Sequence, residues 1–151
     1  MKISRKGGQV FLAGVIDENA DFSQLLQEQA PLSIDFSKVE RINSIGIRSW
    51  MMFMTRWGDK PLNYHECPVI IADQLAVTPA LRGIKKRAAM IMSAYMSFDC
   101  SKCRHQEDIL VTYDQVQPQL KPGVADPKCP DCGSTMSLIN EDQFSIFEPR
   151  S

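Results

Sequence analysis

The chain has no run of about 18 apolar residues, so no segment is expected to cross a membrane as a helix. Its first twenty residues lack both a clean apolar core and a small-residue cleavage site, and Asp17 and Glu18 follow at once. No signal peptide is therefore expected, and the default location is the cytoplasm. There are only two histidines, His65 and His105. No Ser/His/Asp order and no obvious pair of carboxylates stands out. Gly7-Gly8-Gln9-Val10 is too short for a glycine-rich phosphate loop. These absences argue against the commoner hydrolase and nucleotide-binding designs. Internal repeats and low-complexity tracts are absent as well.

What is present is an ordinary globular composition, 44% hydrophobic and 23% charged. At 151 residues the chain suits one domain, or a domain of about 100 residues with a small module attached. The net charge of −1 is unevenly spread. Residues 1–95 hold an excess of Lys and Arg, and residues 96–151 an excess of Asp and Glu, which weighs against nucleic acid on the C-terminal part. The run Arg82-Gly-Ile-Lys85-Lys86-Arg87 is the one concentrated positive charge and reads as a solvated loop. An acidic partner, a nucleotide or a nucleic-acid backbone is the alternative, weak for nucleic acid without interleaved aromatics.

The stretch from Leu32 to Trp57 organises the first part. Leu32, Ile34, Phe36 and Val39 have strand character. Asn43-Ser44 is a turn and a helix cap, and Ile47, Trp50 or Met51, Met54 and Trp57 then recur at helical spacing. Gly58 and Pro61 end the helix. Such a strand–turn–helix sets the Ser44 hydroxyl at the surface, beside unpaired N–H groups of the first helical turn.

Around it, Gln9–Ile16 reads as a strand, Phe22, Leu25 and Leu26 as a short helix closed by Pro31, and Leu62 to Cys67 as a short strand. Pro68 opens a helix through Val69, Ile70, Ala72, Leu75 and Ala76 that Pro79 threatens to break. Ala88 to Phe98 reads as one further strand. Strands alternating with short helices predict an α/β layer, a mixed sheet with helices packed on it and several parallel neighbours.

Gly14-Val-Ile-Asp17, then Leu32 to Trp50, then a strand leading into a proline-opened helix resemble a STAS domain over residues 8–98. This is the family of anti-sigma-factor antagonists and of related domains in anion transporters. In that family a strand ending in Asp-Ser-Ser-Gly places a phosphorylatable serine at the start of the second helix. Here Asn43, Ser44, Ile45 and Gly46 match, so Ser44 takes the phosphorylated position while Asn43 replaces the Asp and Ile45 the second Ser. The resemblance implies a non-enzymatic, bacterial signalling protein. It would bind a protein partner, such as a kinase-like anti-sigma factor, through that loop and helix, and phosphorylation would weaken binding. A phosphate adds about −1.5 to −2 charge, which a helix N-terminus tolerates and a packed or acidic partner surface does not. As a plain residue, Ser44 reads equally well as a cap.

The most specific motif is Cys100-Ser-Lys-Cys103 with Cys129-Pro-Asp-Cys132-Gly133. Each Cys-x-x-Cys turns two sulfurs toward one ion, and two such turns complete a tetrahedron; a structural zinc, one per chain, is the leading reading. Gly133 stands where a knuckle needs positive φ. The long separation, residues 104–128, is taken up by a loop over Val116 to Asp126. Ile109–Val111, Met136–Ile139 and Phe144–Phe147 read as short strands, so that residues 99–151 resemble a zinc ribbon whose small core needs the metal. Two disulfides, thioredoxin-like redox chemistry and a rubredoxin-type iron centre use the same cysteines and remain open. His105 reads as a solvated hairpin residue, His65 as a half-buried structural one, and Cys67 as a small buried apolar residue.

The expected organisation is thus a STAS-like domain, 1–98, running without a Gly/Pro linker into a zinc-ribbon module, 99–151. Metal loss should then disturb the end of the sheet. Apolar excess on the second helix, at Met52 and Phe53, marks a partner surface or a homo-oligomer contact. A different class of function is a zinc-ribbon adaptor of a larger, transcription-related complex, in which Ser44 has no switching role.

Overall fold

The computed structural model describes residues 1–83, 89–116 and 127–148. It has mixed α/β architecture, a five-stranded sheet with helices packed on it and a small antiparallel sheet. The chain enters through β1 (Lys2–Lys6), which the sequence did not suggest, and turns at Gly7 and Gly8, both at positive φ. It returns antiparallel as β2 (Gln9–Ile16). Two consecutive glycines at φ > 0 are what a tight hairpin turn demands. A single 3-10 turn at Ser23–Gln27 replaces the expected short helix and leads to β3 (Leu32–Ile42).

Then follow α1 (Ser44–Trp57), β4 (Leu62–His65), α2 (Val69–Val77) and β5 (Ala89–Ile91). The sheet order is β1-β2-β3-β4-β5, and all pairings after the first are parallel. Pro68 precedes α2 as read, and Pro79 opens a separate 3-10 turn, Pro79–Arg82.

The expected strand Ala88–Phe98 is divided. β5 completes the five-stranded sheet. After Met92 the chain continues as β6 (Ser93–Asp99), the middle strand of the second sheet between β7 (Gln106–Thr112) and β8 (Ser137–Leu138). A short helix, α3 (Tyr113–Val116), follows β7. Phe144, Ile146 and Phe147 belong not to a strand but to a 3-10 segment, Glu141–Phe147, started by the Asn140 side chain accepting from the Asp142 N–H. Its apolar residues are buried, and it packs on α2 and β5. Lys85, Lys86, Arg87, Ala88 and most of the 116–126 loop lie outside the described residues.

Arg82 is not in a solvated loop: it is buried, and its guanidinium donates to the Ser145 carbonyl at 3.0 Å.

The core is centred on α1. Trp50 stacks on Phe36 at 5.1 Å, and its indole N–H donates to the Tyr64 hydroxyl, which in turn donates to the Leu81 carbonyl at 2.8 Å. Both polar tips are therefore satisfied inside an apolar cluster. Removing a ring of this size from such a site costs about 3–5 kcal/mol. The buried stripe is Gly46, Trp50, Phe53, Met54 and Trp57. Phe53 thus joins the core, whereas Met51 and Met52 face outward. No helix among the described residues is long and apolar enough to cross a membrane.

Candidate functional site

The strongest cluster is the one the spacing predicts. β6 delivers Cys100, and the second knuckle delivers Cys129 and Cys132. The sulfurs of Cys100, Cys103, Cys129 and Cys132 lie within 4.8 Å of one another. The two knuckles share one backbone plan. Cys100 N–H donates to the His105 carbonyl and Arg104 N–H to the Cys100 carbonyl, both at 2.8 Å. Cys129 N–H donates to the Ser134 carbonyl at 2.7 Å and Gly133 N–H to the Cys129 carbonyl at 2.9 Å. The residue after the second cysteine takes positive φ in each, 64° at Arg104 and 77° at Gly133.

The donor set fits a metal ion. Metal–sulfur bonds of about 2.3 Å in a tetrahedron put the sulfurs about 3.8 Å apart. Cys100–Cys132 and Cys103–Cys129 stand at 3.5 Å, far beyond the roughly 2 Å of a disulfide. All five cysteines are free thiols. Convergence of both pairs on one locus is also unlike a lone redox pair.

The thiols are not equivalent. The Ser134 hydroxyl and backbone N–H pull Cys132 down to about 6. At Cys103 a bond from the His105 backbone favours the thiolate, but the neighbouring Cys129 thiol and burial outweigh it and push the group up to about 12.

His105 is not a member of the four-sulfur set. Its ring spans the two knuckles instead, Nε2 at 3.0 Å from Glu107 and Nδ1 at 3.1 Å from Asp131, which lies between Cys129 and Cys132. The Glu107 hydrogen bond, aided by the Asp131 charge, raises its pKa. Sequence reading gave it no such role, because Asp131 is distant along the chain.

The second site is the start of α1. Asn43, not Ser44, is the cap: its side chain accepts from the Gly46 N–H at 2.8 Å and donates to Glu18 at 3.2 Å. Ser44 is the first helical residue and is exposed, with its hydroxyl held by no group among the described residues. Gly46 is pressed against the end of β2. Ser44, Asn43 and Gly46 therefore sit together at one helix end, and none of them belongs to the four-cysteine cluster.

Two acids come together that sequence reading missed. Asp35 on β3 is buried and accepts from the Ser37 N–H at 2.8 Å. Glu66, just past β4, faces it at a φ of 48°, with its N–H donated to the Ser93 hydroxyl. Burial first, and then the Asp35 charge and hydrogen bond, raise the Glu66 pKa. The strand register, Asp35 opposite His65, is the only signal for this pair, and it is a property of the sheet. His65 is half-buried, its pKa lowered by burial, and Cys67 is fully buried with its thiol pushed up by the same cause. Compared with known proteins, the chain matches no family model, no curated protein and no solved structure.

Proposed function

We propose that this is a non-enzymatic regulatory protein. It binds a protein partner through the loop and helix that start at Ser44, is switched by phosphorylation of Ser44, and is stabilised by one structural zinc on Cys100, Cys103, Cys129 and Cys132. The observation that carries the reading is the state of Ser44. It is exposed at the open end of α1 and relieved of capping by Asn43, and the helix behind it presents Ile45 and Met52 outward, 48% and 62% exposed. A phosphate there would meet the helix N-terminus and change the charge of that face by about −1.5 to −2.

Zinc is favoured among the metals because four thiolates in a closed tetrahedron suit a structural ion and leave no position for water. The bound ion would supply folding energy to the small sheet; the four cysteines would hold it, and His105 would brace the two knuckles. A STAS-like role in bacterial cytoplasmic signalling rests on the residues quoted above and on the mixed α/β sheet.

The test combines metal analysis with a photo-crosslinking residue at Met52, in wild-type, Ser44→Ala and Ser44→Asp backgrounds. One zinc per chain is expected, with a crosslinked partner that Ser44→Ala keeps and Ser44→Asp loses. Equal crosslinking in all three backgrounds would instead support the adaptor function without a switch.

A further inference from the structure

Helix α1 carries Arg48 and Arg56 and no Asp or Glu over its 14 residues. Ile45, Arg48, Met52 and Arg56 follow one another at steps of three and four, so they form a single outward ridge of alternating apolar and basic groups. Both arginines are exposed, and among the described residues neither makes an ion pair. Beside Met52 and Arg56 a hollow of about 170 Å³ opens between α1 and the Ser23–Gln27 turn, walled by Phe22 and Phe53. Asp21 stands on its rim and makes no ion pair with Arg56: one carboxylate oxygen accepts from the Ser23 N–H at 2.9 Å and the Ser23 hydroxyl at 2.5 Å.

We propose that this ridge docks an acidic amphipathic helix of the partner, with carboxylates against Arg48 and Arg56 and one apolar side chain seated between Met52 and Phe22. The inference rests on the reading of α1 as the partner face and adds the chemistry of what covers it. Charge complementarity selects the occupant. Two copies meeting ridge to ridge would set arginine against arginine, so a symmetric pair is disfavoured. The apolar anchor supplies most of the affinity, and the exposed arginines supply orientation and salt dependence. The same geometry explains the direction of the switch. Ser44 lies at the head of the ridge, and a phosphate there repels an occupant that is already negative.

The test uses the full zinc-loaded chain with labelled methionine methyl groups. It is titrated with a synthetic helical peptide of Glu with a Leu stripe, and with its counterpart carrying Lys for Glu. The acidic peptide is expected to shift the Met51 and Met52 methyls and to lose about tenfold in affinity in Arg48→Glu/Arg56→Glu and at high salt. The Lys peptide is expected to bind that double variant and not the wild type. Both substitutions are on exposed positions, and the reversal of preference shows that the variant remains folded.

Equal binding of the two peptides to wild type overturns the acidic assignment while leaving α1 as a contact face. Shifts confined to Met90 and Met96, or none, overturn docking at this ridge. Whether α1 meets any partner is then decided separately by crosslinking at Met52. Self-association of the chain through Met52 also overturns the proposal.

Discussion

Gly46 and the Ile16 carbonyl are in closer contact than any side chain allows: a Cβ on Gly46 would lie 2.1 Å from that oxygen. The same oxygen accepts the Asn43 N–H at 3.1 Å, so the end of β2 positions both the cap and the first turn of α1. Gly46→Ala must push the helix away from the sheet. Overpacking of this kind costs about 1–3 kcal/mol. The upper end is expected here because the obstacle is backbone. Chemical denaturation measures the cost. A loss under about 0.5 kcal/mol would show that α1 is free to shift.

Glu66 gives a pH prediction. Its carboxyl is held above the ordinary value by burial and by Asp35. A raised folded pKa means that the native state binds the proton more tightly, so stability is greatest below the unfolded pKa of about 4.3 and declines as pH rises through the folded value. Above the folded value the ionised group carries the full penalty. Glu66→Gln is therefore expected to raise the denaturation midpoint at pH 7, with the gain shrinking toward pH 4. An equal gain at both pH values would mean that charge is not the cause.

Much of this could be read along the chain. β2, β3, α1, β4 and α2 were legible because period and punctuation agree, as with Gly58 after α1 and Pro68 before α2. The cysteine knuckles were legible because their spacing encodes the turn itself. β1 was not, since Lys2–Lys6 has one apolar residue and is an edge strand defined by its partner. Residues 89–92 are all apolar and no Gly or Pro interrupts the run to Phe98, so the change of sheet is written only in tertiary pairing, such as the Cys67–Ala94 bridge. Phe144, Ile146 and Phe147 suggest a short strand, but packing on α2 and the Asn140 cap decide otherwise. Asp35 and Glu66 meet only through sheet register.

The two knuckles offer a matched pair of substitutions. Arg104 and Gly133 occupy the same position in the turn, both at positive φ. A side chain there costs about 1 kcal/mol relative to glycine. Arg104→Gly is expected to stabilise the metal-bound protein by about that amount, and Gly133→Ala to destabilise it similarly. Thermal melts with metal in excess test both. If both variants lose stability, Arg104 contributes contacts that outweigh its backbone strain.

Metal removal should travel further than the cysteines. From Cys132 the chain runs through β8 into Glu141–Phe147, whose Phe144, Ile146 and Phe147 are buried with α2 beside them. Gln143 donates to Asp73 of α2, and Arg82 holds the Ser145 carbonyl, so this segment ties the second knuckle back to the five-stranded sheet. A four-thiolate zinc site contributes on the order of 10 kcal/mol of apparent binding energy. Without the ion the second knuckle loses its anchor, and the β8 register is released with it. Hydrogen exchange is expected to rise after chelation at 100–104 and 129–138, and also at 141–147 and along the side of α2 that this segment covers. Arg82→Ala separates cause from consequence. It should loosen 141–147 while the thiolate-to-cobalt absorption of the cobalt-substituted protein stays unchanged. If chelation leaves 141–147 protected, Arg82 and the buried aromatics hold that segment without help from the metal.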